Sequence, residues 1–327
     1  MTVKRLIWIL LIAFVLALFL RLFVLESFRV ASHAMSNQQT PGNRLLVEKW
    51  SLGARFPQSL KWPFSSDQKN HFWQFSSSAY RLPGLSNFRH NDLIVFNSPA
   101  SPSNTPVNQR PVLLSRCVAL PGDFVRISGY HLFINDIERP RSVDALICFS
   151  FRPSKKDNVE LLLKNLPKER EIYQREDTGF IFLARHEYLK LIGEGTLKNK
   201  LLKPYISSYD KSTTFVPFKG YRICLNKRSF EEWQTVINRY EGVSLAQKED
   251  GSFEADGNKV TTYTFKQNYF FVLNDHQGYL NDSRTLGLIP ETHLIGRACL
   301  ILFSPANSRF LQKIRSAKIP ASDCQTQ

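Results

Sequence analysis

The chain has 327 residues, 43% of them hydrophobic, and carries 43 Lys and Arg against 28 Asp and Glu, a formal charge of +15. This length and apolar content suit one large or two smaller cores and exclude wholesale disorder. A basic surface can serve nucleic acid or an anionic membrane. The N-terminal segment favours the membrane, so we predict a lipid bilayer as partner and no nucleic acid.

Residues 1–27 predict a transmembrane anchor. Every residue from Leu6 to Leu20 is apolar, and Arg21 is followed by a shorter apolar run. A helix over this span would be about 30 Å long at roughly 1.5 Å per residue, enough to cross a bilayer. No small-residue cleavage site follows, which favours an uncleaved anchor over a secretory signal. Lys4 and Arg5 precede the run and predict a cytoplasmic N-terminus, with the rest of the chain outside.

Short segments rich in β-branched and aromatic residues follow the anchor and predict an antiparallel β domain. Residues 53–90 and 97–110, rich in Ser and either aromatic residues or Pro, predict loops. The predicted strands cover residues 44–49, 92–96, 111–120, 124–128, 130–135, 261–265, 269–274 and 294–303.

Residues 140–260 differ in sequence pattern from the segments on either side and predict an α+β insertion in the β domain. Its clearest helix begins with the capping-box spacing of Ser229 and Glu232, has one apolar face, and stops before Gly242. Shorter helices are predicted at 159–166 and 185–192, and a basic helix at 306–316. The chain then divides into an anchor (1–27), a β domain in two parts (28–139 and 261–327, the second with a C-terminal tail) and the insertion (140–260).

The five cysteines do not predict a metal site. None form a CxxC pair, so we predict neither zinc nor another metal, and no cofactor. An exported domain could form a disulfide, but the odd count and apolar settings predict mostly buried thiols and no obligatory bridge.

Four separated segments resemble, in order, the sequence boxes of type I signal peptidases, the membrane-anchored leader peptidases that use a Ser–Lys dyad. They resemble the family's anchor exit, "GDxxLVxK", "KRxxGLPGDxVxI" and "GDNRxxSxDSRxxGxVPxxxxxGxA". The segments here are "RLFVLESFRVASHAM", "GNRLLVEK", "SRCVALPGDFVRI" and "NDHQGYLNDSRTLGLIPETHLIGRA". The stretch from Phe230 to Asp275 also resembles the middle region of Bacteroidetes members. The resemblance implies a transmembrane helix followed by a mainly β domain with an α+β insertion.

The departures from the family pattern lie at the positions that carry out catalysis. The family removes signal peptides with a Ser nucleophile and a desolvated Lys as general base. The match puts Ala34 at the nucleophile, Ser115 at the Lys, and Leu280 at the Ser that hydrogen-bonds the Lys. A methyl group cannot attack a carbonyl, and a Ser hydroxyl is too weak a base near neutral pH. We therefore predict that the serine endopeptidase activity is lost.

Other positions of the family pattern have counterparts in this sequence. Ser32 matches the Ser of the oxyanion hole. The positions that line the substrate groove correspond to Phe28, Val30, Met35 and Leu114. The family's supporting charges correspond to Arg116, Asp275, Asp282 and Arg284, and we interpret these as structural ion pairs.

Ser32 leaves an alternative open. If the chain stays extended to residue 34, Ser32 points the same way as Ala34, about 6.6 Å back along the strand. Ser32 could then serve as the nucleophile of a rebuilt dyad, with His276 as candidate base.

Three functions remain on the sequence alone. The protein could be an inactive homologue that binds signal peptides or exported preproteins. It could be a structural or regulatory partner of an active signal peptidase or the translocase. It could also be an active signal peptidase with a non-standard dyad. Each places the chain in a bacterial inner membrane as a single-pass protein, with the main domain periplasmic and its site near the membrane surface.

Overall fold

The computed structural model describes residues 3–35, 40–55, 59–61, 71–74, 81–102, 105–129, 131–142, 145–156, 159–160, 172–193, 201–205, 213–305 and 309–314. The α-helices bounded within these residues are α1 (Val3–Phe19), α2 (Arg185–Gly193), α3 (Lys227–Tyr240) and α4 (Ser283–Leu286).

The apolar N-terminal segment forms α1, which buries none of its side chains. At Leu20 the backbone changes to a π-helix, Leu20–Val24, which leads into the first strand. Because α geometry stops at Phe19, α1 measures only about 26 Å at roughly 1.5 Å per residue, against ~30 Å of bilayer hydrocarbon. Among the described residues, no helix combines the length and apolar character that crossing a membrane requires. The transmembrane helix predicted for residues 1–27 is not found there.

The main sheet joins strands from both ends of the chain, and its neighbouring strands are antiparallel. This confirms the predicted mainly β fold. Its order is β1 (Leu25–Arg29), β2 (Arg44–Glu48), β22 (Leu294–Ser304), β5 (Leu93–Asn97), β6 (Val112–Ala119), β20 (Tyr269–Leu273) and β21 (Ile289–Pro290), with β23 (Arg309–Lys313) also paired to β22.

A second sheet with its own apolar core is formed within the predicted insertion. It contains β11 (Ile172–Arg175), β12 (Thr178–Ala184), β10 (Leu146–Phe151) and β13 (Lys203–Pro204), and α2 follows directly on β12. The predicted helix at 185–192 is confirmed by α2, in which Glu187 accepts a hydrogen bond from the Ala184 backbone N–H at 2.8 Å. Most of the helix predicted at 159–166 lies outside the described residues.

The remaining strands form small sheets. One combines β14 (Thr213–Phe215) with β7 (Phe124–Ser128), β8 (His131–Ile134) and β9 (Ile137–Arg139), so it joins residues from both sides of position 140. The boundaries predicted at 140 and 260 stay predictions. The others are β15 (Arg222–Cys224) with β19 (Thr262–Thr264), β16 (Leu245–Gln247) with β17 (Phe253–Ala255) and β18 (Asn258–Val260), and β3 (Ser59–Lys61) with β4 (His71–Gln74).

Three local predictions were wrong. The loop predicted at 53–90 contains β3 and β4. The tail helix predicted at 306–316 is replaced by β23, because pairing with the free edge of β22 overrides local helix preference. Helix α3 begins at Lys227, three residues earlier than a helix capped by Ser229 would, because Asn226 is the N-cap and exchanges hydrogen bonds of 2.9 Å with Ser229.

Candidate functional site

Ala34 lies in a tight turn, not in a strand. β1 ends at Arg29, and His33–Met35 forms one 3₁₀ turn in which Ala34 is only 6% exposed. The Ala34 carbonyl accepts a hydrogen bond from the His276 backbone N–H at 2.9 Å. The extended geometry expected through residue 34 is therefore wrong. Ser32 is exposed, and its hydroxyl accepts from the Ala34 N–H at 3.5 Å.

Ser115 lies in the middle of β6 and is completely buried. Its hydroxyl donates to Asn274 Oδ1 at 2.7 Å, and the Asn274 amide donates to the Tyr279 carbonyl at 2.9 Å. Asn274 directly follows β20 and begins the segment 274–284, which we call the site loop. Because Ala34 contacts His276 and Ser115 contacts Asn274, the structure brings these two sequence-predicted positions to the same loop.

Leu280, the third predicted position, lies at the exposed part of the site loop. Its side chain is 43% exposed, and its carbonyl accepts a hydrogen bond from the Thr285 hydroxyl. A leucine side chain offers no donor or acceptor that could orient an amine.

Two buried ion pairs hold the site loop at its ends. Arg116 forms a bidentate pair with Asp275, with N–O distances of 2.8 and 2.6 Å, and the side chains are 3% and 6% exposed. Asp282 caps α4 and pairs with Arg284 at 2.7 Å, and Arg284 also donates to the Gln277 carbonyl at 2.9 Å. All four predicted supporting charges thus contact one another or the loop backbone.

The second sheet contacts the middle of the site loop. Sequence reasoning missed this contact. The Leu146 N–H donates to the Asp275 carbonyl at 2.7 Å, and the Gln277 N–H donates back to Leu146 at 2.9 Å. The Phe182 ring lies 4.6 Å from the His276 ring, and a Cβ added at Gly278 would come within 2.7 Å of Phe182. Gly278 was the only available signal, because a glycine can mark a close approach of backbone to another group.

A family model described as "Signal peptidase, peptidase S26" matches residues 3–177, more than half of the chain. The chain belongs to the type I signal peptidase family. It is 24% identical over 290 residues to Signal peptidase I of Buchnera aphidicola subsp. Baizongia pistaciae (strain Bp), covering 88% of this chain and 72% of that protein. It is 23% identical over 292 residues to Signal peptidase I of Buchnera aphidicola subsp. Schizaphis graminum (strain Sg), covering 89% and 72%.

The residues predicted to line a substrate groove lie in one apolar cluster. Val30, Met35 and Leu114 are buried there, and Phe28 packs against it. The Met35 sulfur also accepts a hydrogen bond from the Asp275 N–H at 3.5 Å, which connects this cluster to the site loop.

The edge of β6 beside this cluster is open along half its length. β5 pairs with Val112 to Arg116 of β6, whereas β20 pairs on the other side only from Arg116 onward. In the described part of the chain, Val112 to Ser115 therefore have no neighbouring strand on that side.

The cysteines near the site are not activated nucleophiles. Burial raises the pKa of Cys148 to about 12, although Arg284 acts in the opposite direction, and burial also raises the pKa of Cys117. The four cysteines within the described ranges are free. Those ranges contain no group of three or more His, Cys, Asp and Glu residues that could hold a metal ion.

Proposed function

We propose that this signal peptidase homologue lacks catalytic activity and binds signal peptides or exported preproteins. One observation supports the proposal: Ala34, which matches the family's nucleophile in sequence, has a buried methyl side chain, and Ser115, which matches the family's base, donates a hydrogen bond to Asn274. Neither group can start an acyl transfer. Removing one member of a nucleophile–base unit costs roughly a millionfold in rate, and further losses add little.

The open edge of β6 supports the binding part of the proposal. An extended peptide can add to an exposed strand edge through main-chain hydrogen bonds, while alternate side chains enter pockets beside it. Val112 and Leu113, the partly exposed residues of this open edge, lie next to the apolar cluster that contains Met35 and Leu114. This chemistry suits the apolar segments of exported preproteins.

Helix α1 supports a bacterial inner-membrane location. Its apolar side chains are exposed, and Lys4 and Arg5 at its start favour a cytoplasmic N-terminus and a periplasmic main domain. A helix shorter than the hydrocarbon core can be accommodated by local thinning of the bilayer, and Arg21 could reach the headgroups. The proposal is that α1 and the following π-helical turn hold the chain in the bilayer.

A rebuilt dyad is the second candidate, because the exposed Ser32 and the half-buried His276 both lie next to Ala34. The deciding assay incubates the detergent-purified full chain with a preprotein, beside an active signal peptidase I as positive control. We expect no mature product. Cleavage by the wild type that disappears in Ser32→Ala would refute the proposal that the protein lacks catalytic activity.

Crosslinking separates peptide binding from a purely structural or regulatory role beside an active signal peptidase or the translocase. Val30 and Met35 are buried, so the photoreactive residue belongs at Val112 or the exposed Ala31. We expect crosslinks to signal peptides from both positions, and none from a control at the exposed Thr235 of α3. Equal labelling from all three positions, or from none, would contradict groove binding.

A further inference from the structure

A row of aromatic side chains leads from the site loop across one face of the second sheet. In the site loop, the ring centroids of His276 and Tyr279 lie 4.9 Å apart, and the His276 ring lies 4.6 Å from that of Phe182 on β12. Because the His276 backbone N–H also donates to the Ala34 carbonyl, the row begins beside the residue that matches the family's nucleophile in sequence. We call this set the aromatic row, and its members are Tyr279, His276, Phe182, Tyr173, Phe180 and Tyr205.

The strand register places the members from the second sheet on one face. Tyr173 of β11 is directly opposite Phe180 of β12, and directly paired residues project from the same face of a sheet. The Tyr173 ring lies 5.8 Å from that of Phe182, and the Phe180 ring lies 5.2 Å from that of Tyr205, which follows β13. The buried residues that alternate with Phe180 and Phe182 on β12 belong to the apolar core of this sheet, so the aromatic row lies on the opposite side.

The aromatic row is open to solvent at the end away from the site loop. Tyr173 is 48% exposed and Tyr205 is 40% exposed. Both contact their partners edge-on, with interplanar angles of 74° for Tyr173 and Phe182 and 89° for Tyr205 and Phe180. Rings at right angles form notches instead of one flat platform. Such an arrangement suits an extended peptide with apolar or proline side chains, which aromatic-lined grooves bind in other proteins.

The same end of the second sheet carries a surplus of positive charge. Lys203 lies on the side of the aromatic row, because it is opposite Ser150, which is itself opposite Phe180. Within the described ranges, the strand ends and turns here carry three carboxylates and five cations, and the cations are Arg152, Lys155, Lys156, Arg175 and Lys203. Charge complementarity therefore favours a peptide that is apolar next to the site loop and acidic beyond it.

We propose that the aromatic row is a second binding surface, which holds the part of an exported preprotein that follows its signal peptide. The inference rests on the proposed function: if the end of the signal peptide lies along the open edge of β6, the chain leaves that edge beside Ser115 and Ala34, where the aromatic row begins. The ring contacts, together with the two-residue spacing of Phe180 and Phe182, make the row about 16 Å long, enough for about five extended residues at roughly 3.3 Å each.

The test compares the binding of two labelled peptides to the full chain in detergent, measured by fluorescence anisotropy. One peptide is a signal peptide, and the other is the same peptide extended by four apolar or proline residues and two aspartates. The extended peptide should bind about tenfold more tightly, because each exposed ring should contribute roughly threefold. Tyr173→Ala with Tyr205→Ala should reduce this gain to within about twofold and leave binding of the signal peptide alone unchanged. Tyr173→Phe with Tyr205→Phe should keep the gain, because both rings remain.

The matched control removes two aromatic rings of similar exposure from another part of the surface. Phe124 is 49% exposed and Phe218 is 41% exposed, and Phe124→Ala with Phe218→Ala should keep the gain. An extension that ends in two lysines should bind the wild type more weakly than the one that ends in aspartates. Melting temperatures check that each variant is folded.

Three results would overturn the proposal while leaving groove binding intact: equal binding of the signal peptide and its extended form, equal binding of the two extensions, or equal loss in the control and tyrosine variants. If the wild type binds neither peptide, the proposed function itself is refuted, and this inference with it.

Discussion

The buried pair of Arg116 and Asp275 allows a quantitative test of how the site loop is held. Both side chains are almost inaccessible, and the two N–O distances are 2.8 and 2.6 Å. Arg116→Met would leave the Asp275 carboxylate buried without a counter-charge, and would also remove the hydrogen bond to the Asn91 carbonyl. Breaking a buried pair in this way costs about 3–5 kcal/mol. We expect a loss of that size in the free energy of unfolding.

Urea unfolding of the full chain in detergent, followed by tryptophan fluorescence, measures this loss. The double variant Arg116→Met with Asp275→Leu should recover much of it, because no buried charge then lacks a partner. The control is Lys156→Met, which breaks the exposed pair with Glu160 at 3.7 Å and should cost no more than about 0.5 kcal/mol. If Arg116→Met costs no more than this control, the pair does not hold the loop.

Three further predictions test the glycine contact of the site loop and two buried titratable side chains. Gly278→Ala should lower the free energy of unfolding by about 1–3 kcal/mol, because the new Cβ would meet the Phe182 ring. Adding Phe182→Leu should restore part of this loss, and an equal loss in the single and double variants would contradict the contact. Burial and neighbouring guanidinium groups lower the pKa of His293 to about 3, so the unfolded state binds more protons between about pH 6.5 and 3 and stability falls with acidification. The loss in the free energy of unfolding should reach about 2 kcal/mol at pH 5. If the free energy of unfolding of His293→Gln depends on pH as steeply as that of the wild type, this prediction is wrong. Cys148, whose pKa is raised to about 12, should alkylate far more slowly than the exposed Cys224, as mass spectrometry after limited labelling would reveal.

Local sequence patterns were sufficient to predict five strands of the main sheet, namely β2, β5, β6, β20 and β22. The segment 111–120 is apolar except for Ser115 and Arg116, and it forms β6 with Ser115 near its middle. The boundaries moved by a residue or two because strand ends depend on the partner strand. The match to the family's boxes also predicted that Ala34, Ser115 and the segment beginning at Asn274 share one site, which composition and periodicity alone could not do.

The turn at residues 33–35 could not be predicted because tertiary contacts determine where the extended chain stops. Val30 is the last residue to pair, exchanging hydrogen bonds of 2.9 Å with Gly42 and Asn43. Beyond it, the chain turns so that the Ala34 carbonyl meets His276, more than two hundred residues away in sequence. The docking of the second sheet on the site loop has the same origin, since the Leu146 contact links segments that share no local pattern.

The site loop separates the requirements of folding from those of catalysis. Folding requires that each buried polar group has a partner, and the loop meets this requirement with Asn274 on Ser115, Asp275 on Arg116, and Asp282 on Arg284. Catalysis would require a nucleophile and a base that face each other with their lone pairs available. Here the hydroxyl at the predicted base position donates to an amide oxygen, and the predicted nucleophile position holds a methyl group. The proposed function follows from meeting the first requirement without the second: we propose that the surface beside the open edge of β6 holds an extended chain without cutting it.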